Sequence, residues 1–351
     1  MADQLNLLRL TEELDELKEG DPAGRVAECL KKSVRAAIKI EFATIPPYLT
    51  AMWSIRNSDP TILHPVAEVI KEIVVEEMLH MGLACNMLVG LGESPVLTTT
   101  ATVPAYPGPL PGDVNPDLII TLRRLTPSQL KAFMDIEYPE EGPISALATR
   151  TSATIGRFYS SLLKAFKTAQ FPLITANQRT EMLTPVFRLF KIETFSDVRS
   201  AIDLIRRQGE GSKCSPEETP GHLAHYYQFR EVYEGAKYIR DPQTNRWGHT
   251  GPPVAMPTVW PMADIPPGGY QKADVPYSSV WAKIEQFNAK FTTMLRQLEQ
   301  VWRDSSVSFG EALSSMYSLT TIATELIQNE SEQRPDRRGT YGPCFQLAQK
   351  L

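Results

Sequence analysis

The feature that most constrains the fold is an apolar stretch, residues 65–91, which carries ionisable side chains inside its hydrophobic stripe. Apolar residues recur there at three- and four-residue steps, and this periodicity predicts a helix that stops at Gly92. Glu77 and His80 lie on the same stripe three residues apart, so both side chains are expected to face the core. A buried carboxylate without a partner is costly, so this helix requires a compensating group nearby.

A second predicted helix, residues 25–55, repeats the pattern. Glu41 interrupts its apolar stripe in the same way that Glu77 and His80 interrupt theirs. Pro46 and Pro47 follow within two turns and are expected to kink the helix just after Glu41. The matched placement predicts that the three ionisable side chains converge in the core within reach of one ion.

Two interpretations of this convergence remain open on spacing alone. The Glu-x-x-His spacing of EEMLH (residues 76–80) is the unit by which di-iron and di-manganese helical bundles hold their metals, but it also occurs often by chance. Alternatively, Glu41 pairs with a basic side chain and His80 is a hydrogen-bonded core histidine. The outer stripe of the same helix is interpreted as a solvated acidic face; it comprises Glu68, Glu72 and Glu76.

The rest of the chain predicts further helices separated by irregular segments. Helices are expected at residues 127–135, 143–169, 187–208, 220–238, 277–303 and 309–329. Residues 117–125 are expected to form a short strand or extended segment. Residues 93–117 and 241–276 are rich in proline and predict coil; Trp247, Trp260 and Tyr270 indicate that the second coil packs on the bundle.

This order of elements predicts an all-α fold, a helical bundle with long Pro-rich coil insertions. We expect residues 1–351 to form one domain. Its core bundle spans about residues 25–238, its coil residues 241–276 and its C-terminal helices residues 277–331.

Composition excludes several classes of function. The formal net charge of −5 and the absence of a basic run argue against nucleic-acid binding. Apolar runs are too short to predict a membrane span, and the acidic N-terminal segment does not resemble a signal peptide, so a cytoplasmic location is expected. No glycine-rich phosphate loop is evident, and no nucleotide cofactor is expected.

Several motifs carry a resemblance that extends over nearly the whole chain. They are IKIEFATIPPYLTAMWSI, VVEEMLHMGLACNMLVGLG, TIGRFY, RRQGEG, HLAHYYQF and YGPCF. Together they resemble the ferritin-like family that is found in the iminophenylpyruvate (imino-acid) dimer synthases of bisindole biosynthesis. The resemblance implies a ferritin-like bundle, but it is much less specific for a reaction, because a fold does not fix a function.

The resemblance also implies a set of metal ligands. Carried over position by position, they are Glu41, Glu77, His80, Glu210 and His225. Carboxylate oxygens combined with imidazole suit iron or manganese.

One position departs from the family pattern. The family motif usually reads IGEFY, with a glutamate ligand, whereas this chain has Arg157 at that position. A guanidinium cannot ligate a metal, so an inward-facing Arg157 would leave one ion or none and could hold a substrate carboxylate. Apolar periodicity favours another placement, in which Arg157 lies on the polar flank of its helix with Lys164. We expect the first arrangement on the resemblance.

The resulting functional hypothesis is a metal-dependent oxidative enzyme of specialised metabolism that acts on a small, aromatic, amino-acid-derived substrate. Arg157, Glu77 and Tyr226 are the candidate catalytic residues, although the aromatic patch around Tyr226 could equally fill the core. The alternatives are a metal-free enzyme that directs a cyclisation or isomerisation, and a non-catalytic bundle that binds a ligand. The sequence leaves open whether the chain forms a homodimer.

Overall fold

The structure is a computed structural model that describes residues 6–59, 61–113, 116–139, 154–169, 172–211, 215–219, 221–336 and 338–348. Within these ranges the helices are α1 (Leu7–Asp15), α2 (Ala23–Trp53), α3 (Pro65–Gly90), α4 (Pro127–Ile136), α5 (Ile155–Ala169), α6 (Phe195–Glu210), α7 (His225–Glu234), α8 (Ser278–Arg303) and α9 (Phe309–Ile327). The described strands form three antiparallel pairs, β1 (Gly108–Pro109) with β2 (Ile119–Ile120), β3 (Glu217–Thr219) with β4 (His222–Leu223), and β5 (Ile239–Arg240) with β6 (Trp247–Gly248). The all-α prediction is therefore confirmed.

Helices α2 and α3 form the centre of the bundle. Every residue in the ranges 40–51 and 79–90 is buried, so each helix is covered on all sides. Helices α5, α6 and α7 pack against one side of this pair and α8 and α9 against the other. Among the described helices, α3 alone is long and apolar enough to cross a membrane, and 89% of its apolar window is buried inside the bundle.

The two prolines do not end α2, which continues to Trp53. A proline at position 47 removes the amide that would bond to the carbonyl of Ala43. The hydroxyl of Tyr106 donates to that carbonyl at 2.7 Å and takes the place of the missing amide. A partner from outside the helix thus stabilises the segment that follows Glu41, where the sequence predicted an interruption.

The other predicted elements agree with the structure to different degrees. The predictions for α2, α3, α4, α8 and α9 are confirmed within two residues at each end. Helix α6 begins at Phe195 and not at residue 187, because Thr194 and Asp197 form a capping box there. The predicted helix 220–238 shrinks to α7, preceded by β4, and only residues 119–120 of the predicted strand 117–125 are a strand. Residues 143–153 lie outside the described part of the chain.

The Pro-rich segment 241–276 packs on the bundle, as its aromatic residues predicted. The guanidinium of Arg56 lies 3.8 Å from the ring centroid of Trp260, and Tyr270 is buried against Tyr341. The ring of Trp247 stacks on that of Tyr238 at 5.6 Å. These contacts hold the coil against the segment that follows α2, against Tyr238 after α7, and against the C-terminal segment.

Candidate metal centre

Three glutamates meet in the interior between α2, α3 and the end of α4. Glu41 lies on α2, Glu77 lies on α3, and Glu137 caps the C-terminus of α4; each is at most 8% exposed. In the described part of the chain, the ion pairs of these carboxylates are all with histidines. The interpretation in which Glu41 pairs with a lysine or arginine is therefore not supported.

Two buried histidines turn the same ring atom toward these carboxylates. The Nδ1 atom of His80 lies 3.4 Å from Glu41 and 3.8 Å from Glu77. The Nδ1 atom of His225 lies 2.9 Å from Glu77 and 3.7 Å from Glu137. The two imidazole rings stack with centroids 5.8 Å apart, so the five side chains form one compact cluster.

The opposite ring atoms of both histidines are held by a second layer of polar groups. The Nε2 atom of His80 lies 2.8 Å from the amide oxygen of Gln208, whose nitrogen donates to Glu76 at 3.0 Å. The other carboxylate oxygen of Glu76 lies 2.8 Å from Nε2 of His225. With Nε2 of each ring engaged in this layer, each ring turns its Nδ1 atom into the cluster. This arrangement is typical of metal-ligating histidines.

Hydroxyl groups fix the outer two carboxylates. Tyr159 on α5 donates a short hydrogen bond to Glu41, and Tyr48 on α2 donates to Glu137 at 2.6 Å. At Gly209 on α6, a Cβ atom would lie only 3.2 Å from a carboxylate oxygen of Glu137, so the glycine permits the close approach of α6. These contacts limit the rotation of the carboxylates and preorganise the cluster.

The cluster divides into two donor sets that share one glutamate. The Glu41 set comprises Glu41, Glu77 and His80, and the Glu137 set comprises Glu77, Glu137 and His225; in each set the donor atoms lie within 4.8 Å of one another. Nδ1 of His225 is buried 2.9 Å from a carboxylate oxygen of Glu77, without a hydrogen bond of good geometry. A buried imidazole nitrogen beside the carboxylates of Glu77 and Glu137 fits a cation, because oxygen and imidazole donors both ligate metals.

The protonation equilibria of the cluster respond to this excess of negative charge. Burial, reinforced by Glu137, raises the pKa of Glu77 to about 7. Burial opposes a charge on His80, but Glu41 and Glu77 outweigh it and raise the pKa of His80 to about 9. Burial likewise opposes a charge on His225, but the neighbouring carboxylates hold its pKa well above the usual range. Protons and a divalent cation therefore compete for the same donor atoms.

A small cavity of about 30 Å³ opens beside the Glu41 set. Its apolar wall consists of Ile40, Ile136, Ile155 and Ile205. Its polar lining includes Glu41, Glu77, Tyr159 and Arg206. This space has room for about one water-sized molecule beside the carboxylates.

The structure brings together four of the predicted ligands, Glu41, Glu77, His80 and His225. The side chain of Glu210 lies outside the described part of the chain. Tyr226 packs against the rings of Tyr138 and Tyr227, and its catalytic role stays a prediction.

The expectation that Arg157 faces the site is wrong. Its guanidinium is 54% exposed and lies 4.0 Å from Asp15 of α1, next to Lys164, which approaches the same carboxylate at 3.8 Å. Apolar periodicity had favoured this placement on the polar flank. The buried face of α5 instead presents Tyr159, two residues along the same motif. The argument that an arginine removes one metal position therefore does not apply.

Sequence analysis also misplaced Glu76 and missed two residues of the centre. Glu76 is fully buried and links both histidines, and does not belong to a solvated face with Glu68 and Glu72. Glu137 stands among several acidic residues after α4, and Gln208 lies in a polar stretch of α6, so neither position carries a distinguishing signal. A buried Glu76 could have been suspected only because it precedes Glu77, just before the stretch of α3 that is buried on every side.

The fold and the cluster define the class of the protein as a helical bundle with a carboxylate–histidine centre. The sequence profile of the Ferritin-like family matches residues 34–234, and the chain belongs to this family. Its structure is similar to that of a ferritin-like protein from Caulobacter vibrioides, with a TM-score of 0.60 and 24% identity over 85% of this chain and 94% of the other. At that identity the likeness shows the fold alone. A search of curated proteins found no match.

Proposed function

We propose that this protein binds two first-row transition metal ions, iron or manganese, one in each donor set, with Glu77 shared between them. The observation that carries the proposal is the orientation of His80 and His225. Both rings are held at Nε2 by the Gln208–Glu76 pair, and both direct Nδ1 at buried carboxylates. Such a support layer fixes the tautomer of a ligating histidine and raises its basicity.

We further propose that the centre serves an oxidative enzyme of specialised metabolism. Bound iron would supply dioxygen-dependent redox chemistry there. An aromatic substrate is larger than the space of about 30 Å³ beside Glu41, so its entry would part the isoleucine wall. The isoleucines would then cover its apolar group, and Arg206, in the same lining, would face its acid group. The support for an amino-acid-derived substrate is this pairing of an apolar wall with a guanidinium, together with the resemblance to imino-acid dimer synthases.

Within this proposal the protein groups have separate tasks. Glu77 supplies charge to both ions, and Glu41 and Glu137 each supply charge to one. Tyr159 keeps Glu41 directed into the centre, and Tyr48 does the same for Glu137. The buried position of the centre excludes bulk water and strengthens each of these electrostatic contacts.

The metal part of the proposal is tested by titrating the metal-free protein with Co²⁺, followed by visible absorption and calorimetry. Glu77→Gln keeps the shape of the side chain and removes the shared charge, so it should abolish both buried ions. Glu68→Gln, an exposed change on the same helix, is the matched control and should bind as many ions as the unmodified protein. Equal stoichiometry in Glu77→Gln and the control would disprove the centre.

The catalytic part is tested with iron-loaded protein and a panel of aromatic 2-amino and 2-imino acids. Dioxygen uptake and product masses should depend on Glu77, and arginine-directed binding should weaken when the carboxylate of a panel member is replaced by an amide. If the iron-loaded protein consumes no more dioxygen than Glu77→Gln with any compound of the panel, an oxidative role is contradicted, even if the metal titration shows two buried ions.

A further inference from the structure

Another cavity, of about 580 Å³, lies at the N-terminus of α4, and we name it the arginine cavity. Its walls come mainly from residues 121–128, from residues 262–267 of the Pro-rich coil, and from residues 334 and 338 after α9. Glu137 of the metal centre caps the other end of α4, and the ten residues of this helix separate its ends by about 15 Å. The arginine cavity is therefore separate from the metal centre, and its volume is within the roughly 300–1,000 Å³ of small-molecule sites.

The charged lining of the arginine cavity is mainly positive. Its guanidinium groups belong to Arg123, Arg124, Arg334 and Arg338. Two carboxylates pair with them: Asp264 pairs with Arg123, and Asp336 lies 2.9 Å from Arg334 and 3.6 Å from Arg338. Four guanidiniums against two carboxylates leave an excess of two positive charges, in a chain whose formal net charge is −5. A concave site with one sign of charge concentrates ligands of the opposite sign.

Two of the arginines have donors that the chain does not use. The Nε atom of Arg123 is buried and makes no hydrogen bond to any described residue. A buried donor of this kind calls for an acceptor from outside the chain. Arg124 donates to the backbone carbonyl of Met262 at 3.0 Å, and no carboxylate in the described part of the chain pairs with it. Its charge is therefore uncompensated, and its other N–H groups are free to bind an anion.

Hydrogen bonds fix the three walls of the arginine cavity against one another. The amide of Ile265 donates to the carbonyl of Leu122 at 3.0 Å, which joins the coil to the segment before α4. The guanidinium of Arg334 donates to the carbonyl of Asp264 at 3.1 Å, which joins the segment after α9 to the same coil. The arginines thus project from a preorganised frame, and preorganisation lowers the cost of binding a ligand.

We propose that the arginine cavity binds a small organic dianion, a phosphate monoester or a dicarboxylate, that carries an apolar body. A guanidinium holds either acid group by two parallel hydrogen bonds, and a double negative charge balances the excess of two positive charges. The hydroxyls of Thr126 and Ser128 lie in the same lining, at the positive end of the α4 dipole. Met262 and Ile265 would cover the apolar body. The inference does not depend on the proposed metal centre, since the two sites share no residue.

Calorimetry of the metal-free full-length chain tests the proposal, with phenyl phosphate and benzylmalonate as the dianionic probes. The unmodified protein should bind at least one of them at one site per chain. That probe should bind at least about tenfold more tightly than phenylacetate, which has one charge, because a second charge-assisted acid group is then held. Tighter binding of phenyl phosphate would assign the site to phosphate monoesters, and tighter binding of benzylmalonate would assign it to dicarboxylates.

Three arginine variants locate the binding. Arg124→Gln keeps a donor for the carbonyl of Met262 but removes the charge, so it should weaken dianion binding at least about tenfold. Arg338→Gln changes a side chain that is 79% exposed, so it leaves the frame intact and should also weaken binding. Arg199→Gln, an exposed change on α6 outside the lining, is the matched control and should keep the affinity.

Glu77→Gln separates this inference from the proposed function, because it should bind the dianion as the unmodified protein does. An unmodified protein that binds neither dianion would overturn the arginine cavity as a ligand site. Equal affinities in Arg124→Gln, Arg338→Gln and Arg199→Gln would overturn it as well. Loss of binding in Glu77→Gln with full binding in Arg124→Gln would place the anion at the buried centre and also contradict the proposal.

Discussion

The two sides of the central α2–α3 pair differ completely in what they bury. On the side of α5, α6 and α7 lies the carboxylate–histidine cluster. On the side of α8 and α9 lies a cavity of about 70 Å³ lined by apolar residues, including Phe42, Met78, Met81 and Phe291. Glu41 and Phe42 are neighbours in sequence but face opposite sides. The same two helices thus provide stability on one side and a costly, preorganised polar site on the other.

The comparison teaches how such a bundle tolerates five buried ionisable groups. Packing on the apolar side stabilises the helices whether or not a metal is bound, and each fully buried apolar side chain contributes roughly 1.5–3 kcal/mol. The polar side is stable only where each charge has a partner, either a proton or a cation. Changes on the two sides should therefore have separable effects on stability and on metal binding.

The largest expected effect is on the apolar side. Phe291→Ala removes a ring that packs against Phe42 and Phe345, and it should cost about 3–5 kcal/mol of unfolding free energy. Chemical denaturation of the metal-free protein measures this loss. The number of Co²⁺ ions bound at saturation should not change. A loss of metal without a loss of stability would show that the two sides are not separable in this way.

On the polar side, Gln208→Leu should weaken metal binding without a comparable loss of stability. It removes the group that holds Nε2 of His80 and breaks the link to Glu76. Loss of such an outer hydrogen-bond partner typically lowers metal affinity about 10–100-fold. Competition with a chelator measures the affinity. An unchanged affinity would mean that Gln208 does not orient the histidine.

Stability should also depend on pH in a way that metal removes. The folded-state pKa of His80 is about 9, above its usual value of roughly 6.5. The contribution of its protonated form is fully present below that usual value and is lost as the pH rises through about 9. The melting temperature of the metal-free protein should therefore fall between pH 6.5 and pH 9, and saturating Mn²⁺ should flatten the decline. An equally steep decline in both states would contradict competition between proton and metal.

The smallest expected effect concerns Arg157. Its pairing with Asp15 is exposed, so Arg157→Ala should change the unfolding free energy by less than about 1 kcal/mol. Metal stoichiometry and affinity should stay the same in the Co²⁺ titration. A gain in bound metal would show that the guanidinium reaches the centre after all.

Sequence analysis could predict those residues of the metal centre that interrupt the apolar stripe of a helix. Glu41, Glu77 and His80 could be found because each places a charge on a hydrophobic stripe of a long helix. Arg157 is the opposite case. Apolar periodicity predicted that its side chain lies on the exposed flank of its helix, whereas the family pattern predicted that it faces the site. The structure agrees with the periodicity.

The remaining contributions to the site depend on tertiary contacts. Glu137 reaches the cluster from a helix terminus, where no helical periodicity can reveal it. Glu76 is covered by α6 and α7, whose Gln208 and His225 contact its carboxylate. The hydroxyl that replaces a helix hydrogen bond at Ala43 likewise comes from Tyr106, 63 residues away. Such contacts leave no local pattern for sequence analysis to detect.

The central claim is that two metal ions share Glu77 inside the bundle. Anomalous scattering from crystals of the Mn²⁺-loaded protein, combined with elemental analysis of the same preparation, tests it most directly. We predict two buried anomalous peaks per chain, one next to Nδ1 of His80 and the other next to Nδ1 of His225, on either side of the Glu77 carboxylate. Crystals of fully loaded protein without a peak between these residues would contradict the account.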